Sequence, residues 1–216
     1  IPDKQSVDIE NKYGDIFLDA VSGNISIDNS SGTVELENCS GKLDIKNSYN
    51  DVKVFSFQGP LKLRNTSGAV TVRDIDGNTN ITNSYKDVYF RNIKGDVDIN
   101  SGSGDIDGFD VRGNCRIKSS YKTVEVKKVD GYLEIDGQSC EIRASRIKKD
   151  LIITSSYKPV DIDSVGGNLT VRSSSSPLHI RNVSGTASLR TSYKDVFIEN
   201  IKGSVTIDGS SCPVTA

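Results

Sequence analysis

This chain has a single histidine, His179, and four scattered cysteines, so it lacks the His or paired-Cys sets that zinc requires. It has no Ser-His-Asp or Cys-His arrangement and no phosphate-binding loop. No apolar run approaches the roughly 18 residues of a membrane-spanning helix. Neither sign of charge dominates: 27 Lys and Arg stand against 29 Asp and Glu, which leaves no basic field for a nucleic-acid backbone and excludes nucleic acid as a partner class. Tryptophan and methionine are absent, and no window has helical periodicity. No linker or shift of composition divides the chain, so residues 1–216 read as one module. The opening Ile-Pro-Asp-Lys carries neither an initiator methionine nor a signal segment, and the expectation is a trimmed start.

What the chain does have is a repeat. From Ser6 to Cys212 it divides into 23 nine-residue units without insertion or deletion, as in DIFLDAVSG, TVELENCSG and DVFIENIKG. The pattern is x-Φ-x-Φ-x-N-Φ/S-x-G. Of the 48 residues at positions 2 and 4, only Thr79 and Gly108 are not Val, Ile, Leu, Phe, Ala or Cys. Chance at this composition gives about 17 apolar residues. Φ-x-Φ rich in β-branched residues is a strand with one buried face. Asn at position 6, as in Asn29, Asn38, Asn47 and Asn92, tolerates left-handed dihedrals and marks a corner. Gly at position 9 in 14 of the 23 units marks a second bend of positive φ. Strands this short, joined by neither hairpin turns nor helices, pair only with their own equivalents. The fold class is therefore all-β, a single parallel β-solenoid.

Two longer periods set the coil. Position 7 alternates between apolar residues (Val21, Cys39, Phe57, Ile75, Ile93) and small or polar ones (Ser30, Ser48, Thr66, Ser84), which favours 18 residues per coil and about 11 to 12 coils. Tyr13, Tyr49, Tyr85, Tyr121, Tyr157 and Tyr193 recur every 36 residues at position 8, with Ser31, Ser67, Ser103, Ser139, Ser175 and Ser211 at the intervening coils. A 36-residue, four-sided coil is the alternative. Two faults interrupt the pattern, Gly108 followed by Phe109, and Ala144 within EIRASRIKK, where a core position shrinks and a basic run follows. Each reads either as a local bulge with a neighbour filling the gap or as a side pocket.

Cys39 and Cys115 fall at inward positions and Cys140 and Cys212 at turn position 9. The last two lie four coils apart, about 19 Å, which is too far for a disulfide, so four free thiols are expected. The acidic stretch Asp96, Asp98, Asp105, Asp107 and Asp110 lacks the spacing of calcium loops, and no metal or cofactor is expected. His179, alone at an outward position, reads as an inert surface residue. Outward charges mix sign along each column, which points to weak pairing between coils rather than to a catalytic cluster, and no catalytic residue is assigned. Position 8 points outward, so Tyr49, Tyr85, Tyr121, Tyr157 and Tyr193, with Asn50, Lys86, Lys122, Lys158 and Lys194 beside them, form a ladder spaced about 9.6 Å on 18-residue coils. Either the ladder stacks sugars and meets acidic groups, or each ring lies across the small residue of the next coil and shields the turn.

The units SYKDVYFRNIKGDVDI (84–99) and SYKDVFIENIKGSVTI (192–207) resemble bacterial adhesin-like families of unknown function, including those with a head GIN domain. That resemblance implies a right-handed β-helix exported to the periplasm or cell surface. The favoured reading is a non-catalytic surface or periplasmic module, an adhesin-like binding or scaffold domain whose partner is a glycan or protein. The alternative is a carbohydrate-active enzyme of polysaccharide-lyase type acting on an acidic glycan. Neither end shows a polar cap, so a homo-oligomer joined through uncapped ends is also an expectation.

Overall fold

A Φ-x-Φ strand buries one face only when another strand satisfies its edge, and here the covering strand is the chain itself one turn later. A computed structural model describes residues 5–216 as a parallel β-solenoid of about 12 turns, about 18 residues each, with no helix. Residues 1–4, on which the expectation of a trimmed start rests, lie outside the described residues. Every pairing steps by 18: Ile25 pairs with Leu43, Leu43 with Leu61, Val97 with Cys115 and Leu169 with Ala187. The 36-residue coil is excluded, because Tyr121 pairs with Ser139 and not with the next tyrosine.

Each turn has two long sides and a short one. On the first long side, such as Leu43–Asn47, positions 2, 4 and 6 point inward. A tight corner leads to the second, within Val52–Gln58, where Val52 and Val54 point inward. Ser56 then takes φ 53°, which re-aims the chain so that Phe57 also enters the core and forms the short third side. The equivalent residue of every turn from Ala20 to Asn200 has φ between 53° and 65°. Positions 2 and 4 are buried from Ile25 to Ile198. In the last coil Val205 and Val214 are exposed.

Asparagine at position 6 therefore has two roles, where the sequence suggests one. Asn38, Asn92, Asn182 and Asn200 are left-handed corners, as expected. Asn29, Asn47, Asn65 and Asn83 are not corners: they are extended, 1–4% exposed, and point into the core. They tolerate burial because each Nδ2 donates to a carbonyl of the following or preceding turn, although Asn83 Oδ1 is left without a partner among the described residues. Asn11 Nδ2 donates to Asn29 Oδ1 (3.0 Å), Asn29 Nδ2 to Asn47 Oδ1 (3.1 Å), and Asn47 Nδ2 to the Asn50 carbonyl (2.7 Å). The ladder thus ties three coils together and holds the following turn.

The glycine reading also needs correction. Among the described residues positive φ occurs at Gly14, Gly23, Gly32, Gly41 and Gly59 and not at the other position-9 glycines. Close stacking is the general reason for glycine there: a Cβ on Gly104 would lie 2.0 Å from the Lys86 carbonyl oxygen one coil away. The Gly108 fault is filled by its neighbour, since a Cβ there would meet Cζ of the buried Phe90 ring at 2.1 Å. All four cysteines are free. Cys140, expected in the turn, is buried instead, in room left by Gly137, and Cys212 Sγ likewise lies where a Cβ on Gly209 would be.

Candidate functional site: the tyrosine corner

The corner between the two long sides is built by its backbone. Ser67 N donates to the Ser48 carbonyl (2.9 Å) and Tyr85 N to the Thr66 carbonyl (3.1 Å), while Asp51 Oδ1 accepts from Ala69 N (2.8 Å) and Asp87 Oδ1 from Asp105 N (2.9 Å). With position 6 inward and position 7 at the bend, position 8 projects outward. Tyr49, Tyr85, Tyr121, Tyr157 and Tyr193 are 59–69% exposed. Among the described residues none of these rings meets another ring or a cation, and none of their hydroxyls has a hydrogen-bond partner. Lys86, Lys122, Lys158 and Lys194 are exposed beside them, and none is ion-paired among the described residues. Asn50 Oδ1 accepts from Gly32 N at 3.3 Å and so serves the turn rather than the ladder. The arrangement offers flat apolar faces on every second coil, about 9.6 Å apart, and from Tyr85 to Tyr193 each has an unneutralised ammonium next to it.

The other sequence candidates fall elsewhere. The acidic stretch is divided between the two long sides, with Asp98 on Val97–Ser101 and Asp107 on Ile106–Val111. Asp96 Oδ1 accepts from Asn114 N (2.8 Å), Asp105 Oδ1 from Thr123 N (2.8 Å), and Asp110 pairs with Lys128 (2.7 Å). Among the described residues no three His, Cys, Asp or Glu side chains stand together as a metal site. Outward charges pair between coils, as in Lys46–Asp28 (3.4 Å), Arg116–Glu134 (3.1 Å) and Arg190–Asp208 (2.9 Å).

His179 is not isolated, contrary to expectation. Its Nδ1 lies 2.9 Å from Asp161 Oδ1 one coil away, and its ring meets Phe197 edge-on at 6.4 Å. The signal was the 18-residue spacing of 161, 179 and 197, which has meaning only once the coils are stacked. The pair sits in a shallow depression of about 290 Å3 beside Ala144, with Glu125, Arg143, Asp163 and Arg181. Asp163 is engaged there by the Asn182 amide (2.7 Å). Tyr89, outside the ladder, donates to Asp87 Oδ2 at 3.1 Å, and burial together with that carboxylate raises its pKa.

Residues 4–83, less than half of the chain, match a family model described as Toastrack DUF4097. No curated protein and no solved structure matches the chain. The matched coils and the fold support a solenoid repeat family of unknown function. The motifs that carry the head GIN resemblance, at 84–99 and 192–207, lie outside the matched segment. Among the described residues no helix is long and apolar enough to cross a membrane.

Proposed function

We propose that this protein is a non-catalytic, extracytoplasmic rod that binds an extended acidic glycan along its tyrosine corner. One observation carries the reading: five rings about two-thirds exposed, without ring partners and at a regular spacing, four of them beside a lysine with no ion pair among the described residues. Shielding of the turn would draw the rings onto the serines of the neighbouring coils and lower their exposure. The placement outside the cytoplasm rests on the head GIN resemblance. Asp96, Asp105 and Asp110 of the acidic stretch support a non-catalytic role, because they cap backbone N–H groups or pair with lysine.

The test is a glycan array with wild-type protein and Tyr85→Ser/Tyr121→Ser/Tyr157→Ser. Loss of an acidic-glycan signal at unchanged Tm supports the proposal. A lowered Tm with the signal intact overturns it in favour of packing. The alternative, a carbohydrate-active enzyme, has the His179–Asp161 pair beside Arg143 and Arg181 in its favour. Incubation with polyuronates and measurement of unsaturated products distinguishes it, and none are expected.

A further inference from the structure

The short third side runs the length of the rod as a furrow, at the end of the coil opposite the tyrosine corner. Its floor is position 7, and its rims are the left-handed position 6 and position 8. Between Lys128 and Lys202 it opens into a groove of about 950 Å3 over Ile147, Val165, Val183 and Ile201. Four cations line this stretch, Lys128, Arg146, Lys148 and Lys202, against one carboxylate on its rim, Asp130. Lys128 and Lys148 are held by Asp110 (2.7 Å) and Asp130 (2.8 Å). Arg146 and Lys202 have no carboxylate partner among the described residues. Earlier along the same furrow, charge follows another rule. The stretch from Ser56 to Arg112 sets Asp74, Asp76 and Asp110 against Lys94 and Arg112, and Lys94 is paired with Asp76 at 2.7 Å.

The backbone is the same in both halves, so the fold does not require the excess of cations. A left-handed position favours Asn, Asp or Gly, yet Lys128 (φ 65°) and Arg146 (φ 58°) stand there. The two sequence faults meet at this point. Phe109, half-buried at outward position 5 next to Gly108, receives the Arg146 guanidinium of the basic run at 5.7 Å from its ring centre, with Arg91 at 5.3 Å and Lys128 at 5.8 Å. The ring orients a charge that no carboxylate neutralises.

We propose that this groove is a second binding site, separate from the tyrosine corner, for a linear polyanionic glycan lying along the rod. Arg146 and Lys148 at one end and Lys202 three coils away meet carboxylate or sulfate groups. Between them Ser164, Asn182 and Asn200 recur once per coil, about every 4.8 Å, as a polar row held by Asp163 (3.1 and 2.7 Å) and by the Asn200–Asn182 amide bond (3.2 Å), and Ser184 adds a hydroxyl beside it. That repeat suits the advance of successive sugar units and does not suit the shorter step of an extended peptide.

Binding is measured by calorimetry with a defined-length oligogalacturonate, its methyl-esterified form and a single-stranded DNA of equal length. The protein is the full chain carrying Tyr85→Ser/Tyr121→Ser/Tyr157→Ser, so that the tyrosine corner is silent. Oligogalacturonate binds, added salt weakens it, and the ester does not bind. Arg146→Glu/Lys202→Glu lowers affinity about tenfold or more at unchanged Tm, whereas Arg146→Lys/Lys202→Arg retains it. Equal binding by the charge-reversed protein, equal binding of the ester, tighter binding of the DNA, or no binding of the oligogalacturonate each overturns the proposal. Because the groove still holds an acidic glycan when the three tyrosines are replaced, the array for the tyrosine corner is read in the Arg146→Glu/Lys202→Glu background, where only the corner's signal remains and the failure of one site leaves the other's test intact.

Discussion

Asn38 and Asn47 occupy the same position of the repeat and depend on different physics. Asn38 holds φ 53° with its amide toward solvent, donating to Asp19 Oδ1 at 2.9 Å. Glycine accepts that conformation, so Asn38→Gly is expected to shift stability by about 0.5 kcal/mol or less. Asn47 is buried and serves both its neighbour Asn29 and the Asn50 carbonyl, so Asn47→Ala removes two buried hydrogen bonds, leaving Asn29 with the Gly32 carbonyl and the Asn50 carbonyl with Asn65, and costs about 1–2 kcal/mol. Urea denaturation of the two variants checks the contrast. The buried thiols make a second residue-level prediction. Burial raises the pKa of Cys115, Cys140 and Cys39 above the ordinary 9.0. Above pH about 9 the unfolded chain releases thiol protons that the folded chain retains, so stability is full below that pH and falls as pH rises beyond it. Cys115→Ala is expected to flatten this alkaline loss in Tm measured between pH 8 and pH 11, even though it lowers Tm at neutral pH.

At the scale of the strand, burial alternates so strictly that one-residue errors are costly. Val97 and Ile99 are inward and Asp98 outward on the same strand, so Val97→Asp or Ile99→Asp places an unpaired charge in the core and costs several kcal/mol, while Asp98→Asn changes little. Thermal melts of the three variants separate the two faces. The strands were legible in the sequence because positions 2 and 4 carry a period-two signal within each unit. The alternation of Val21, Cys39 and Phe57 with serines at position 7 was enough to define the 18-residue turn. The two corners were less legible. One letter, Asn, serves both, and only the register of the following apolar residue separates a left-handed residue from an amide facing the core. The inward turn of Cys140 needed the absent Cβ of Gly137 to be seen in space. The tyrosine corner could be placed from the repeat because each ring belongs to one coil. The basic groove could not, since Phe109 and Arg146 become neighbours only after two coils have stacked.

For the whole rod, 18 residues is the unit that any change of length has to respect. Deleting one full coil, residues 62–79, superposes equivalent positions and is expected to leave a shorter folded solenoid, whereas deleting the nine residues 62–70 sets amide-ladder corners against left-handed ones and is expected to disrupt it. Circular dichroism and size-exclusion chromatography of both deletions provide the check. The same i to i+18 pairing that joins Leu43 to Leu61 and Leu169 to Ala187 also determines how the molecule responds to tension. No strand pairs with anything but the adjacent turns, so a pull applied at the two termini does not load the whole fold at once. It unspools the rod from an end, one turn per rupture, and each turn released lengthens the tether by about 60 Å. In a force-extension trace that is a row of evenly spaced low peaks rather than one tall one, and a rod of this kind yields gradually under load while the turns not yet reached remain intact.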